Sequence, residues 1–318
     1  MDLSTVSPFN VSEEIQYEFY HNFSFGCFVF LSLLSLVMFI ADIYLMIIIN
    51  KFKSLQTYQN LLILKTIWFH LGYIIFGEIL FLVVTILSND VSSEGNCFLE
   101  NLDSLCLSMV YFLMTFLAAD WFISQYHPNF HQKHLVLFTK RGLYVCFVMA
   151  LPETVVTSAY CFISARSIDL VAFIFKVVSF ILCFSVVTVM FIVKRRRPLL
   201  MDARKYEYCF TISFVFLLMS LPITFFGDYY HTIEDMFYRT ILMVMCNIGY
   251  GLYALAPIVT VFLLAKHNKH FKVAYMRCCK RKSAEAYADD INDVETVDED
   301  QDVAVSFGRH SNSVQLHP

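Results

Sequence analysis

The chain has 318 residues, 58% of them hydrophobic and only 16% charged, where an ordinary soluble domain carries about 25% charged residues. Its apolar residues fall in long blocks between short polar stretches, a pattern that excludes a water-soluble globular domain and describes a polytopic membrane protein. The formal net charge of -4 says little, because the charges are sorted by position along the chain.

Residues 1–23 hold Asp2, Glu13, Glu14 and Glu18 and no Lys or Arg. A cleavable secretory signal has a basic start. None is expected here, and the first apolar block is read as a signal-anchor helix. Seven blocks are long enough to cross a bilayer, which takes roughly 20 residues at 1.5 Å rise each. They lie at about 24–49, 58–88, 97–124, 141–163, 168–193, 204–227 and 237–265. Backbone groups in lipid must pair within their own segment, so these blocks are helices. The period-2 alternation of a barrel is absent. The predicted fold is an all-α membrane protein, a seven-transmembrane bundle over residues 24–265.

Orientation follows from Lys and Arg in the short connections. Lys51 and Lys53 lie between blocks one and two, and Lys133, Lys140 and Arg141 between three and four. Lys194, Arg195, Arg196, Arg197, Arg204 and Lys205 lie between five and six. The alternate connections hold Asp90, Glu94, Arg166, Asp169, Asp228, Glu234 and Asp235. The basic set is expected in the cytosol, with the amino terminus outside, as in a multi-pass plasma-membrane protein. Residues 1–23 then form an extracellular segment with two glycosylation acceptors, Asn10-Val11-Ser12 and Asn22-Phe23-Ser24. Asn22 abuts the first helix, so Asn10 is the more accessible.

After the seventh block, residues 266–282 carry Phe271, Ala274 and Tyr275 on one helical face among Lys and Arg. That is the pattern of a short amphipathic eighth helix lying on an anionic leaflet. Cys278 and Cys279 are palmitoylation candidates, or two ordinary thiols. Residues 283–318 are acidic with few aromatics and are expected to be a disordered cytoplasmic tail.

Several local patterns resemble the rhodopsin-like (class A, family 1) G-protein-coupled receptors. The stretch "ADIYLMIIINKFKSLQTYQN" mirrors that family's first helix, basic first loop and start of helix two. In "LAADWFISQYHP" the interval from Asp120 to Pro128 is that of the family's Asp-Arg-Tyr and following proline. Phe216 and Pro222 in "FLLMSLP" keep the sixth-helix spacing, and Pro257 in "LAPIVT" stands for the seventh-helix proline. The likeness spans roughly residues 24–280, and the chain is a divergent example. Trp121 replaces the arginine, Ser220 the sixth-helix tryptophan, and Ala256 and Thr260 the asparagine and tyrosine of helix seven.

The resemblance implies a switch and G-protein face around Asp120, Trp121, Pro128, Phe216, Pro222 and Pro257, with the Arg195–Arg197 run beside it. It implies a disulfide between Cys97 and Cys161. It also places Asp103 where amine receptors keep their ligand-binding aspartate, and Tyr250 where they keep its tyrosine. A buried carboxylate binds an ammonium strongly. Glu78 and Lys176 fall in the same half of the bundle, so these charges either line a ligand pocket or pair as Asp103–Lys176 or Glu78–Lys176. Asp42 and His70 stand at the family's sodium-site positions. Ionisable residues in a membrane core are costly unless paired. An Asp42–His70 pair replacing the ion is expected, the alternative being two separately hydrated groups.

No His-Glu-x-x-His, Gly-x-Ser-x-Gly or phosphate-binding glycine loop occurs. No enzyme activity, cofactor or nucleic-acid partner is expected. His127, His131 and His134 have metal-like spacing but sit beside Lys133, and they are read as a solvated basic face rather than a metal site. Asp120, without its usual arginine, is expected to turn to Lys140, Arg141 or water. The expected function is that of a cell-surface receptor for an unknown extracellular ligand, a small amine among the possibilities. Its partners would be a heterotrimeric G protein or arrestin. The alternative is a receptor-like protein without normal G-protein coupling, because Trp121 lacks the family guanidinium.

Overall fold

The computed structural model describes residues 9–80, 83, 93–163, 168–197, 206–226 and 236–278. Of these, 97% are helical, and no strand occurs among them. The helices are α1 (Phe9–Lys51), α2 (Tyr58–Tyr73), α3 (Ser93–Tyr126), α4 (Gly142–Ile163), α5 (Ile168–Arg196), α6 (Glu207–Phe226), α7 (Met236–His267) and α8 (Lys269–Cys278). The first seven are each long and apolar enough to cross a membrane.

Helix α3 is the hub. Of its most apolar stretch 61% is buried, against 17% for α5. It packs on α2, α4, α5 and α6, while α1 and α7 close the ring. Apolar side chains are also turned outward, Leu33, Trp68, Val155, Val178 and Phe262 among them. In water such a belt would drive aggregation; against lipid it costs nothing, which is why the blocks read as apolar all round rather than as stripes.

Two boundaries differ from the sequence expectation. Helix α1 begins at Phe9, well ahead of the first span. The preceding stretch has good helix formers in Glu13, Glu14, Gln16 and Glu18, and it extends a helix already nucleated by the span. The second block is a regular helix only to Tyr73 and continues as π-helix over Ile74–Leu80. Gly77 lies in that wide turn, and a Cβ there would sit 2.5 Å from Asp103 Oδ1. Only glycine lets α3 approach so closely. Gly249 does the same between α7 and α6, where a Cβ would come within 2.9 Å of the Pro222–Ile223 backbone.

Helix α2 opens with Thr57 as N-cap, its side chain accepting from the Asn60 backbone N–H. Helix α8 starts on Asn268, whose Oδ1 accepts from His270 N at 3.0 Å. Its Phe271 and Ala274 are buried, and Tyr275 stacks on Tyr44 of α1 at 5.7 Å. The same face that reads as amphipathic therefore packs on the bundle, and that burial pushes the Tyr275 phenol pKa up.

Candidate functional site

Three polar clusters are held inside the apolar bundle. The first joins Asp42 of α1 to His70 of α2, which are 3% and 2% exposed. His70 Nδ1 is hydrogen-bonded to Asp42 Oδ2, so the structure brings the two predicted partners together. A buried carboxylate and imidazole satisfy one another in this way. The other ring nitrogen, Nε2, is buried and has no hydrogen-bond partner among the described residues. The ring is caged by Tyr73, Phe216 and Tyr253, with centroids at 6.2, 5.9 and 5.3 Å. A cavity of about 20 Å³ beside the pair is lined also by Thr66, Pro257 and Thr260, enough for about one water molecule.

The second cluster lies in the half of the bundle away from the basic connections, and its centre is a residue the sequence reading passed over. Glu153, one residue after Pro152 in α4, is only 3% exposed. Its carboxylate accepts from Ser104 Oγ at 2.7 Å and Ser108 Oγ at 2.6 Å, both on α3, and from Ser179 Oγ of α5 at 3.4 Å. Lys176 of α5 faces it closely enough to act on its charge. The expected alternatives for Lys176 were Asp103 and Glu78; the described structure adds Glu153, and the Glu78 side chain lies outside the described residues. Asp103 packs against Gly77. Tyr250, expected in a ligand pocket, is 4% exposed and shares a 2.6 Å hydrogen bond with Ser35 of α1. The signal that reveals Glu153 is its type alone, since an ionisable residue within a membrane block is a functional candidate by default.

The third cluster gathers at the basic end. Trp121 is 2% exposed, with its ring 5.3 Å from that of Phe210 in α6. Lys194, at the end of α5, lies over both rings, 5.3 Å from Trp121 and 4.9 Å from Phe210. Its Nζ is 2.6 Å from Glu207 Oε1 at the start of α6. One step away, Tyr208 donates to Asn60 Oδ1 of α2 at 2.9 Å.

Asp120 departs from expectation. It is 3% exposed and is bonded by His131 Nε2 at 2.9 Å, in place of Lys140 or Arg141. The short helix Pro128–Lys133, with Pro128 in its first turn, swings His131 back toward α3. His131 also stacks on Phe138 at 4.9 Å. The reading of the three histidines as a solvated face is thus corrected for His131, whose partner is a buried carboxylate. No group of three or more His, Cys, Asp or Glu side chains suited to a metal occurs among the described residues.

Of the remaining candidates, Phe216 is buried beside His70, while Pro222 and Pro257 lie inside α6 and α7. Ser220 and Thr260 return their hydroxyls to their own helices at Phe216 O and Ala256 O. Cys97 is disulfide-bonded, and the seven other cysteines with described side chains are not in disulfides. The side chains of Asn10 and Cys161 lie outside the described residues, as do Cys279 and residues 283–318. Asn22 is exposed on α1. Cys278 is a free thiol whose carbonyl accepts from Lys51 Nζ at 3.3 Å. Comparison of the chain with known protein families and with curated proteins finds no match to either.

Proposed function

We propose that the chain is a divergent rhodopsin-like receptor of the plasma membrane. Its amino terminus is outside, and it binds an extracellular ligand and signals through a heterotrimeric G protein. The orientation rests on the Lys and Arg bias of alternate connections. The observation that carries the reading is the tie at the basic end. Lys194, Trp121, Phe210 and Glu207 join α5, α3 and α6, and Tyr208 joins α6 to α2. An outward movement of α6 breaks the contacts of Phe210, Glu207 and Tyr208 together, which makes the bundle a two-state element that a ligand can bias.

The polar cluster of Glu153, Ser104, Ser108 and Lys176, with Asp103 on the same α3 segment, supports a ligand site at the opposite end. The pairing of Cys97 with Cys161 fits there too, because the exterior is oxidising. The amphipathic character of α8 and the neighbouring cysteines support a membrane-apposed, acylated carboxyl side.

Trp121 favours one second reading, a receptor-shaped protein that acts through arrestin, a partner receptor or ligand capture. An indole offers one N–H donor and no charge, so it cannot replace a guanidinium at a G protein. Expression in cells with a library of amines and peptides, read by G-protein dissociation and arrestin recruitment together, separates the two. A G-protein response supports the first; arrestin recruitment alone supports the second; a substrate flux without either signal defeats both.

A further inference from the structure

The segment that returns the chain from α3 to α4 has two faces. Its inner face is fixed to the bundle. His131 is bonded to Asp120, and Phe138 is buried with its ring 5.8 Å from that of Phe116 in α3. Its outer face is exposed and mixed in character. Phe130, Val136 and Leu137 present large apolar side chains there, and Lys133, Lys140 and Arg141 are exposed among them. No Asp or Glu occurs from Trp121 to Pro152, so this stretch holds no acid to offset the cations.

The inner contacts set the depth of the segment. Asp120 and Phe116 lie roughly 9 and 15 Å before the end of α3 at 1.5 Å rise per residue. His131 and Phe138 sit against them, so the chain folds back along the inner turns of a membrane-crossing helix. Gly142 lies at the same level, where a Cβ would strike the Phe116 ring. From Gly142 the apolar span of α4 runs to Ala159, 18 residues in all. That is roughly 27 Å of helix, close to a hydrocarbon core of about 30 Å. Leu137 then lies roughly 7 Å beyond the edge of the core, within a headgroup layer of about 5–8 Å. The first turns of α4 expose Tyr144, Phe147 and Val148, so the outer face of the segment adjoins a lipid-facing surface.

We propose that this segment docks on an anionic phospholipid leaflet, with Phe130, Val136 and Leu137 entering the acyl boundary and Lys133, Lys140 and Arg141 meeting the phosphates. Interleaved apolar and basic side chains at headgroup depth are what such a surface takes up, and long basic side chains reach outward from an apolar depth. A neutral leaflet would accept the apolar residues and leave the cations without counter-charge. A soluble acidic protein would match the cations, yet it would have to displace lipid from the apolar residues. The leaflet therefore holds the outer face while Asp120 holds the inner one through His131, and lipid charge acts on the basic end of the bundle. The proposal stands whether or not the protein couples to a G protein.

The test measures amide hydrogen exchange of the full-length protein in two nanodiscs, one of phosphatidylcholine and one of phosphatidylcholine with phosphatidylserine. Both faces of a disc carry the same lipid, so the result does not depend on orientation. Exchange over residues 128–138 is expected to be about five-fold slower or more in the anionic disc, the worth of one cation at such a surface. High salt, which screens exposed charges, should reverse the slowing. Lys133→Gln, Lys140→Gln and Arg141→Gln together should abolish the difference between the discs. Phe130→Ser with Val136→Ser should reduce it. All five side chains are exposed, and a thermal melt checks that each variant is folded. Equal exchange in the two discs would overturn the proposal, as would a difference that survives the triple substitution in folded protein. Slowing in the neutral disc on addition of polyglutamate would also overturn it, by assigning the surface to an acidic polypeptide. Should a variant not fold, the wild-type comparison and its reversal by salt decide alone.

Discussion

Lys194 stands over the face of Trp121, its Nζ 5.3 Å from the ring centroid, while the same nitrogen is 2.6 Å from Glu207 Oε1. The cation missing from the third helix is thus supplied from the fifth, and the indole becomes the surface on which it rests. The family whose motifs this sequence resembles keeps an arginine at the Trp121 position. Here the tie between α3 and α6 runs through a lysine of α5.

Lys194→Ala removes both the cation–π contacts and the ion pair. Glu207 is about one-third exposed, so the ion pair is screened and is worth at most about 1 kcal/mol. The stacked cation adds about 0.5–1 kcal/mol. The closed arrangement should lose about 1–2 kcal/mol in all, raising ligand-free signalling roughly five- to thirty-fold if the open state is the signalling one. Glu207→Gln should give the smaller part of that rise. Basal G-protein dissociation in cells, normalised to surface protein, measures both. Basal signal unchanged in both variants would mean that this contact does not hold the bundle closed.

Tyr208→Phe deletes the hydroxyl that donates to Asn60 Oδ1. Removing it costs about 1 kcal/mol and leaves Asn60 its bond from Nδ2 to Leu55 O. Basal signalling should rise about five-fold. Combined with Lys194→Ala, the two effects should come close to adding, as for sites with no shared partner. A double variant no more active than Lys194→Ala alone would show that Tyr208 follows the α6 movement without resisting it.

His70→Ala strands the buried Asp42 carboxylate. Breaking a buried pair from one side costs about 3–5 kcal/mol, so surface expression and the melting temperature in detergent should both fall. Adding Asp42→Asn should recover part of the loss, because the stranded group is then neutral. A cycle of the two substitutions read by thermal stability should give a coupling of at least about 1 kcal/mol. Additive losses would mean that each residue is held by something other than the other.

How much of this was legible in the sequence depended on whether the deciding neighbour lay nearby in the chain or in space. The seven spans were legible because lipid demands a continuous apolar run from each of them. Asp42 and His70 were legible because each interrupts such a run with an ionisable group. Glu153 interrupts one as well, but its partners are three serines on two other helices, and serine is unremarkable in any membrane helix. His131 was misread for a related reason. Its bond to Asp120 exists only because the chain turns back through the helix Pro128–Lys133, a path that residue spacing does not encode. Lys194 stood only as one of the basic residues between blocks five and six, and the packing of α5 against α6 sets it apart from Arg195–Arg197.

Glu153→Ala tests whether the α4 carboxylate organises the half of the bundle opposite the basic end. The substitution leaves Ser104 and Ser108, both buried, without their acceptor, and each such loss costs about 1–3 kcal/mol. Glu153→Gln keeps an acceptor oxygen and the side-chain volume, so it should cost less, about 1–2 kcal/mol by the same reasoning. Thermal stability of the purified variants should therefore rank wild type, Gln, Ala. Equal melting temperatures for all three would show that the serines find other acceptors and that Glu153 is not structural.

Trp121→Arg places the arginine of the resembled family in a site shaped for an indole. The introduced guanidinium would lie beside Asp120, whose present partner is His131, and beside Lys194, a like charge. It can pair with Asp120, yet it also repels Lys194 from its seat over the ring, and the buried stacking on Phe210 is lost. The expected outcome is a less stable protein with raised basal G-protein signalling, because the α5–α6 tie is disturbed while a guanidinium becomes available at the basic end. Trp121→Phe is the control. It keeps an aromatic face for Lys194 at smaller size and should leave basal signalling close to wild type. Measured side by side at matched surface level, a rise in the arginine variant alone assigns the altered coupling to the guanidinium. A rise in both assigns it to the lost volume and stacking. No rise in either, with both proteins at the surface, would mean that Ala256 and Thr260 of α7 matter more or that coupling does not depend on this position.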